Sequence, residues 1–282
     1  MILILASTID VAGMTIITQL RTICNFEETG KAFDGNAIHQ TVIGGRKVEL
    51  AFTKRDIIYA SHIEESFSPR LVIFASRHSS ESRLPVLTVH VPGNLHKAEF
   101  GGEDKKVSIA PAYEMKAALK ELLSAKIDLG LEDYRVSYEA THHGPTLDIP
   151  AMFIEIGSTI ERWEHKEAGL AAAKAIVSSI KSPQKGLRSI GVGGGHYAPK
   201  FTRLGLNTEV AFGHIIPKYA TTYITEEMLR QLVEKTTDGA EILVFDWKGI
   251  KGEERTRIIE MAENMEVEVR KARDYDMKYL PT

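Results

Sequence analysis

Short apolar runs rich in Ile and Val recur along the chain at Met1–Ala6, Leu71–Ala75, Val86–Val91, Val136–Ala140, Ala151–Ile156, Ser189–Val192 and Glu241–Phe245. Their length suits strands, and their near-continuous apolar character suits strands covered on both faces. Between them, hydrophobic positions fall at helical spacing. Asp10–Thr22 carries Val11, Met14 and Ile17 on one side, with Asp10 placed to cap it. Ala110–Ala125 carries Met115, Leu119 and Leu122, and Trp163–Ile180 carries Leu170, Ala173 and Val177. Thr225 opens a further helix with Glu226 and Glu227 in its first turn, and Glu253–Asn264 repeats the pattern. Strands alternating with helices predict an α/β layer architecture. Residues 30–70 and 93–107 lack clear periodicity and read as insertion or lid segments within one domain spanning 1–282.

Composition narrows the class. The chain has 282 residues, 43% hydrophobic and 26% charged, as in an ordinary globular protein. Thirty-five basic residues against 38 acidic ones give a net charge of -3, unlike the basic footprint of a non-specific nucleic-acid coat. A single cysteine, Cys24, allows no internal disulfide or Cys-rich zinc site and fits a reducing compartment. The apolar start lacks a basic n-region, so it reads as a strand and not as a signal peptide. No apolar run approaches the length of a membrane span.

Polar residues gather where the strands should end: Arg77-His78, Thr141-His142-His143-Gly144-Pro145, Glu155, Gly193-Gly194-Gly195-His196 and Asp246-Trp247-Lys248. Ligands of open α/β sheets bind beyond the carboxyl ends of strands, so these ends predict one crevice. His142 and His143 suit chemistry or metal ligation; the plainer reading is one functional and one structural histidine. Glu155 interrupts an apolar strand, where a carboxylate is costly unless paired or metal-bound. The three glycines let backbone N–H groups approach an oxyanion or phosphate, or simply form a turn. His196 beside them suits a ligand or an acid–base role. Arg77-His78 could grip a phosphate or carboxylate, with His214 a weaker candidate of the same kind. Asp246 and Lys248 could be a structural ion pair. His39, His62, His90, His96 and His165 read as surface or structural histidines.

Together, Thr141-His142-His143-Gly144-Pro145, the run from Gly193 to Lys200, Phe245-Asp246-Trp247-Lys248, Ser7-Thr8-x-Asp10 and Arg77-His78 resemble the archaeal and plant type of D-aminoacyl-tRNA deacylase. The resemblance covers essentially the whole chain. It implies a three-layer α/β sandwich with a mixed central sheet, like the phosphorylase/peptidyl-tRNA hydrolase group. It also implies a cytoplasmic, zinc-dependent hydrolase of the ester between a D-amino acid and the 3′-terminal ribose of tRNA. The partner would be the acceptor end of aminoacylated tRNA, with no membrane or protein partner, and the enzyme would be a monomer. On this reading His142, His143, Glu155 and His196 surround the ester and are the candidate zinc ligands. Gly193, Gly194 and Gly195 would supply an oxyanion hole, and Arg77, Lys200 and Lys248 would hold terminal phosphates. His78 and His214 would also contact substrate. Rival readings are a peptidyl-tRNA hydrolase or metal-dependent aminopeptidase, a nucleoside phosphorylase, and a non-catalytic tRNA-binding protein.

Overall fold

The computed structural model describes residues 1–275. The chain runs β1 (Ile2–Ser7), α1 (Val11–Ile23), β2 (Glu27–Phe33), β3 (Asn36–Ile43), β4 (Arg46–Thr53), β5 (Val72–Ser79) and β6 (Val86–His90). It continues through α2 (Ala112–Asp128), β7 (Arg135–Tyr138), β8 (Ala151–Ser158), α3 (Ile160–Trp163), α4 (Lys166–Lys181) and β9 (Leu187–Val192). It ends with α5 (Pro199–Asn207), β10 (Val210–Ile216), α6 (Glu226–Glu234), β11 (Ile242–Phe245), α7 (Gly252–Asn264) and β12 (Glu268–Lys271).

These strands build a mixed eight-stranded sheet, ordered β2-β3-β4-β1-β5-β8-β6-β7, and a parallel four-stranded sheet, ordered β10-β9-β11-β12. The mixed α/β class expected above holds; the second sheet is an addition to it. Period-two alternation divides the large sheet into two faces. Ile2, Ile4, Ala6, Ile73, Ala75, Met152 and Ile154 join residues of α1, α2 and α4 in one core cluster, which also takes Val210, Phe212, Ile242 and Val244 from the small sheet. Leu3, Leu5, Val72, Phe74, Ala151 and Phe153 point the other way, onto Ile57, Ala60 and Ile63 of a 3₁₀ segment. The far face of the small sheet is closed by α6 and α7.

The predicted caps form. Asp10 Oδ1 accepts the N–H of Gly13 at 3.0 Å, and Thr225 Oγ1 accepts that of Met228 at 3.2 Å. Asp10 also accepts the Arg77 N–H at 2.8 Å, which ties the start of α1 to the end of β5. The helix expected over Trp163–Ile180 is broken between α3 and α4, where the Trp163 indole N–H donates to the His78 carbonyl at 3.1 Å. The first part of the 30–70 segment, expected to be irregular, instead falls in three regular strands, β2, β3 and β4. β2 and β3 lie at a solvent-exposed edge, so their polar composition hid them. β10 was also unanticipated, because Gly213-His214 interrupts its apolar run.

Candidate active site

The alternation that buries Phe74 and Phe153 carries polar side chains onto the same face one step further along. On β5 it brings in Ser76 and His78, on β8 Glu155, and on β6 Thr88 and His90. Ser137 lies opposite Thr88, so Glu139, two residues later, reaches the same face. The loop after it brings His142 and His143, and the loop after β9 brings His196. A cavity of about 770 Å³ opens over this cluster. The site therefore lies on a face of the large sheet, not at a row of carboxyl ends. β6 runs antiparallel to β8, so the carboxyl ends of β5 and β8 lie at the opposite edge from that of β6.

Glu139 and Glu155 are both buried, an arrangement that costs several kcal/mol per charge without compensation. His78 supplies it: its Nδ1 lies 3.0 Å from Glu139 Oε1 and 3.5 Å from Glu155 Oε2. Its Nε2 meets the Tyr197 hydroxyl at 3.0 Å. His196 Nε2 donates to Glu139 Oε2 at 3.2 Å, and His142 Nε2 lies 3.6 Å from the same oxygen. His90 stacks on Phe153 with ring centroids 4.9 Å apart and an 8° interplanar angle, and its Nε2 lies 3.5 Å from Glu155. His143 holds its backbone at φ 44°, and Gly144 beside it is pressed against the Gly101–Gly102 backbone. A side chain on Gly144 would place Cβ 2.3 Å from the Gly102 nitrogen, so only glycine lets the histidine loop seat here.

Protonation follows from these contacts. Burial works against a charged His78, but Glu139 and Glu155 outweigh it and raise its pKa to about 11. His90 is raised for the same reason, chiefly by Glu155. Burial would raise both carboxylates, yet their histidine partners hold Glu139 well below the usual range and Glu155 at about 2. Burial and neighbouring histidines keep His142 neutral and lower His143 to about 4, and burial lowers His214 to about 3.

The signs give a stability profile. Between pH 6.5 and 4 the unfolded chain takes up protons on His142, His143 and His214 that the folded chain refuses, so stability falls as pH falls. The depressed carboxylates lose their stabilisation below about pH 4.5, the ordinary value for Glu. His78 is the opposite case: its stabilisation is complete below 6.5 and is lost as pH rises toward 11. Thermal unfolding in chelator-containing buffer should show maximal Tm near pH 6.5–7. His214→Phe should flatten the acid limb; an unchanged limb would show that His214 does not resist protonation.

Residues 65–270 match the family described as D-aminoacyl-tRNA deacylase. A protein of that name from Pyrococcus furiosus is 39% identical over 272 residues, covering 94% of this chain and 97% of the relative. The chain belongs to the D-aminoacyl-tRNA deacylase family. The Thermococcus kodakarensis member is 39% identical over 274 residues, with the same coverage of both chains, and the Methanocaldococcus jannaschii member is 35% identical over 277. The crystal structure of a conserved protein of unknown function, AF0625, superposes with a TM-score of 0.90 at 32% identity, covering 99% of each chain.

Within this deacylase-family chain, the expected site residues separate into two sets. His142, His143, Glu155, His196, Arg77 and His78 all line the cavity. Both histidines of the pair face it, with ring centroids 4.2 Å apart. Arg77 is partly committed, donating to Asp56 Oδ2 at 2.8 Å. Gly193, Gly194, Gly195, Lys200, His214 and Lys248 do not line it. The N–H groups of Gly193 and Gly194 are taken by the Ile216 and Gly249 carbonyls at 2.8 and 3.1 Å, so they offer no oxyanion hole. With φ of 101° and 81°, these glycines instead shape the loop that delivers His196. Lys200 pairs with Asp246, the ion pair expected of Lys248, which is itself exposed elsewhere. His214 is sealed behind the site, bridging Thr141 Oγ1 and the Lys235 carbonyl at 3.2 Å each. Two members of the cluster lie outside the candidate set: Glu139, at the end of the apolar run Val136–Ala140, and His90, which reads as a surface or structural histidine but is buried here.

The donor set suits a metal ion. The ring nitrogens of His90, His142 and His143 lie within 4.8 Å of one another. In each, Nδ1 faces a backbone carbonyl: Val91 at 3.3 Å, Ala140 at 2.8 Å and Gly144 at 2.6 Å. Such contacts fix the tautomer and turn Nε2 outward as a lone-pair donor. His90 Nε2 is buried and makes no hydrogen bond, and Glu155 lies between His78 and His90, 3.5 Å from each.

Proposed function

We propose that this chain hydrolyses the ester between a D-amino acid and the 3′-terminal ribose of tRNA, releasing the free D-amino acid and reusable tRNA. The observation that carries the reading is the cavity lined by His78, His142, His143, His196 and Glu155, with His90 and Glu139 buried in contact with them, in a chain of the deacylase family. His196 is oriented by the buried Glu139, an imidazole–carboxylate pair of the kind that serves acid–base catalysis. With Nε2–H held by Glu139, Nδ1 is the basic atom at the open side, beside the Tyr219 hydroxyl at 3.4 Å. It takes a proton from the attacking water as the new C–O bond forms. It returns that proton to the ribose oxygen as the ester bond breaks. Protonated His78 keeps Glu139 and Glu155 ionised, which preserves the orienting carboxylate. Arg77 at the cavity wall suits the negative charge of the substrate backbone.

His90, His142 and His143 would hold a zinc ion, with Glu155 alongside. A catalytic zinc commonly takes three protein ligands. When bound, it would supply Lewis-acid polarisation of a carbonyl and acidification of water.

The reading includes a cytoplasmic, monomeric enzyme, since aminoacylated tRNA is met there. No helix among the described residues is long and apolar enough to cross a membrane. The deciding experiment incubates D-Tyr-tRNA and L-Tyr-tRNA with the protein side by side. Loss of the D ester alone is expected. Survival of both would overturn the reading and direct the search to N-blocked peptidyl-tRNA, peptides and nucleosides.

A further inference from the structure

The mouth of the cavity carries a group of aromatic rings that the chemistry on its floor does not use. His96, on the loop before Val107, and Tyr223, on the 3₁₀ turn Thr221–Tyr223, stack with centroids 4.1 Å apart and planes 3° from parallel. Tyr223 is 46% exposed, and its neighbours on the same rim, Tyr219 and Phe100, are 57% and 63% exposed. Single exposed aromatics are ordinary on protein surfaces, but a group on one cavity rim marks a binding surface. Lys97 stands next to His96 on that rim and is exposed.

The substrate side of the argument is equally specific. Every tRNA ends in unpaired nucleotides with adenosine last, and the ester is carried on that adenosine's ribose. Seating the ester over Glu139 and Glu155 leaves the base of the same nucleotide close to the cavity mouth. A net charge of -3 supplies no overall attraction for a polyanion, so contacts to the bases add to what a few local cations such as Arg77 and Lys97 provide. Stacking on an aromatic face supplies affinity without sequence readout, which suits an enzyme acting on many tRNAs with one shared end.

We infer that the stacked His96–Tyr223 pair is a platform for the terminal adenine of the tRNA 3′ end, with Lys97 beside the adjoining phosphate. The inference rests on the proposed function for the identity of its ligand. Tyr223 acts here as a positioning residue: it holds the nucleotide whose ribose carries the ester and touches no reacting atom.

The test uses the full chain and an uncharged acceptor-stem RNA hairpin with 2-aminopurine as its 3′-terminal base. Saturating wild-type protein should quench the fluorophore, as stacking does. Tyr223→Phe keeps the ring and should quench equally, whereas Tyr223→Ala should leave the fluorescence near its free value. With D-Tyr-tRNA as substrate, Tyr223→Ala should raise KM about 10-fold, with the loss falling on KM more than on kcat. A ring that merely pinned one loop to its neighbour would not move the 2-aminopurine signal. Absence of quenching by the wild type, or equal quenching by wild type and Tyr223→Ala, would overturn the platform. Should the wild type leave D-Tyr-tRNA intact, the proposed function fails by itself, and the fluorescence arm still decides whether the rim stacks a base.

Discussion

Glu139→Gln should slow D-Tyr-tRNA deacylation by about 10³-fold, within the range that positioned acid–base groups contribute. The side chain is fully enclosed and meets three imidazoles: His78 at 3.0 Å, His196 at 3.2 Å and His142 at 3.6 Å. Glutamine keeps the shape and removes the charge. Its NH₂ group would then oppose a ring nitrogen that now donates to an oxygen, so the tautomer that leaves His196 Nδ1 basic would no longer be enforced. His78 would also lose one of the two carboxylates that keep it protonated far above the ordinary histidine range. Part of the effect is structural, because losing one partner of a buried ion pair typically costs about 3–5 kcal/mol. Single-turnover deacylation measured beside thermal unfolding separates the two. A protein folded at the assay temperature but slowed a thousandfold supports the orienting role. Near-normal turnover would remove Glu139 from the mechanism.

Glu139 lies within the apolar run Val136–Ala140, and its sequence context does not mark it as a site residue. The strands and helices were legible because burial on both faces of a sheet and along one stripe of a helix leaves a period in the chain. Apolar runs located β1, β5, β6, β7, β8, β9 and β11, while β2 and β3, exposed at a sheet edge, left no such trace. His142-His143, Glu155 and His196 stood out by type and position, and all line the cavity. His90 and Glu139 sit at the ends of apolar runs and look like strand boundaries. A subtler signal was present: Thr88 with His90 and Ser137 with Glu139 are polar residues two apart, the spacing that puts both on one face of a strand. Strand direction was not legible at all. An antiparallel β6 moves the site from the strand ends to the sheet face, and no local pattern encodes that pairing. The glycine loop failed as an oxyanion hole for a similar reason. Its N–H groups find the carbonyls of Ile216 and Gly249, partners distant in sequence that only the fold reveals.

His90 also carries the second large expected effect, a loss of zinc affinity. His90→Phe preserves the stack on Phe153, which depends on ring shape, and removes both nitrogens. Changing a residue that only supports a metal ligand commonly costs 10–100-fold in affinity. Removing one of three ligands should therefore weaken zinc binding by about 100-fold or more, read by calorimetry on chelator-stripped protein. His143→Phe should weaken it comparably, since His143 offers its nitrogen to the same space. His62→Phe, whose ring pairs with Asp34 away from the cavity, should bind zinc as the wild type does. Calorimetry in buffers of different ionisation enthalpy should also detect proton release on binding. Glu155 raises the His90 pKa, and a histidine ligand must be neutral, so zinc competes with a proton at that ring. The chelator-stripped wild type should lose deacylation of D-Tyr-tRNA and regain it with zinc. Wild-type zinc affinity in His90→Phe would take His90 out of the ligand set. Full activity in chelator would leave His196 and Glu139 to carry the reaction without a metal.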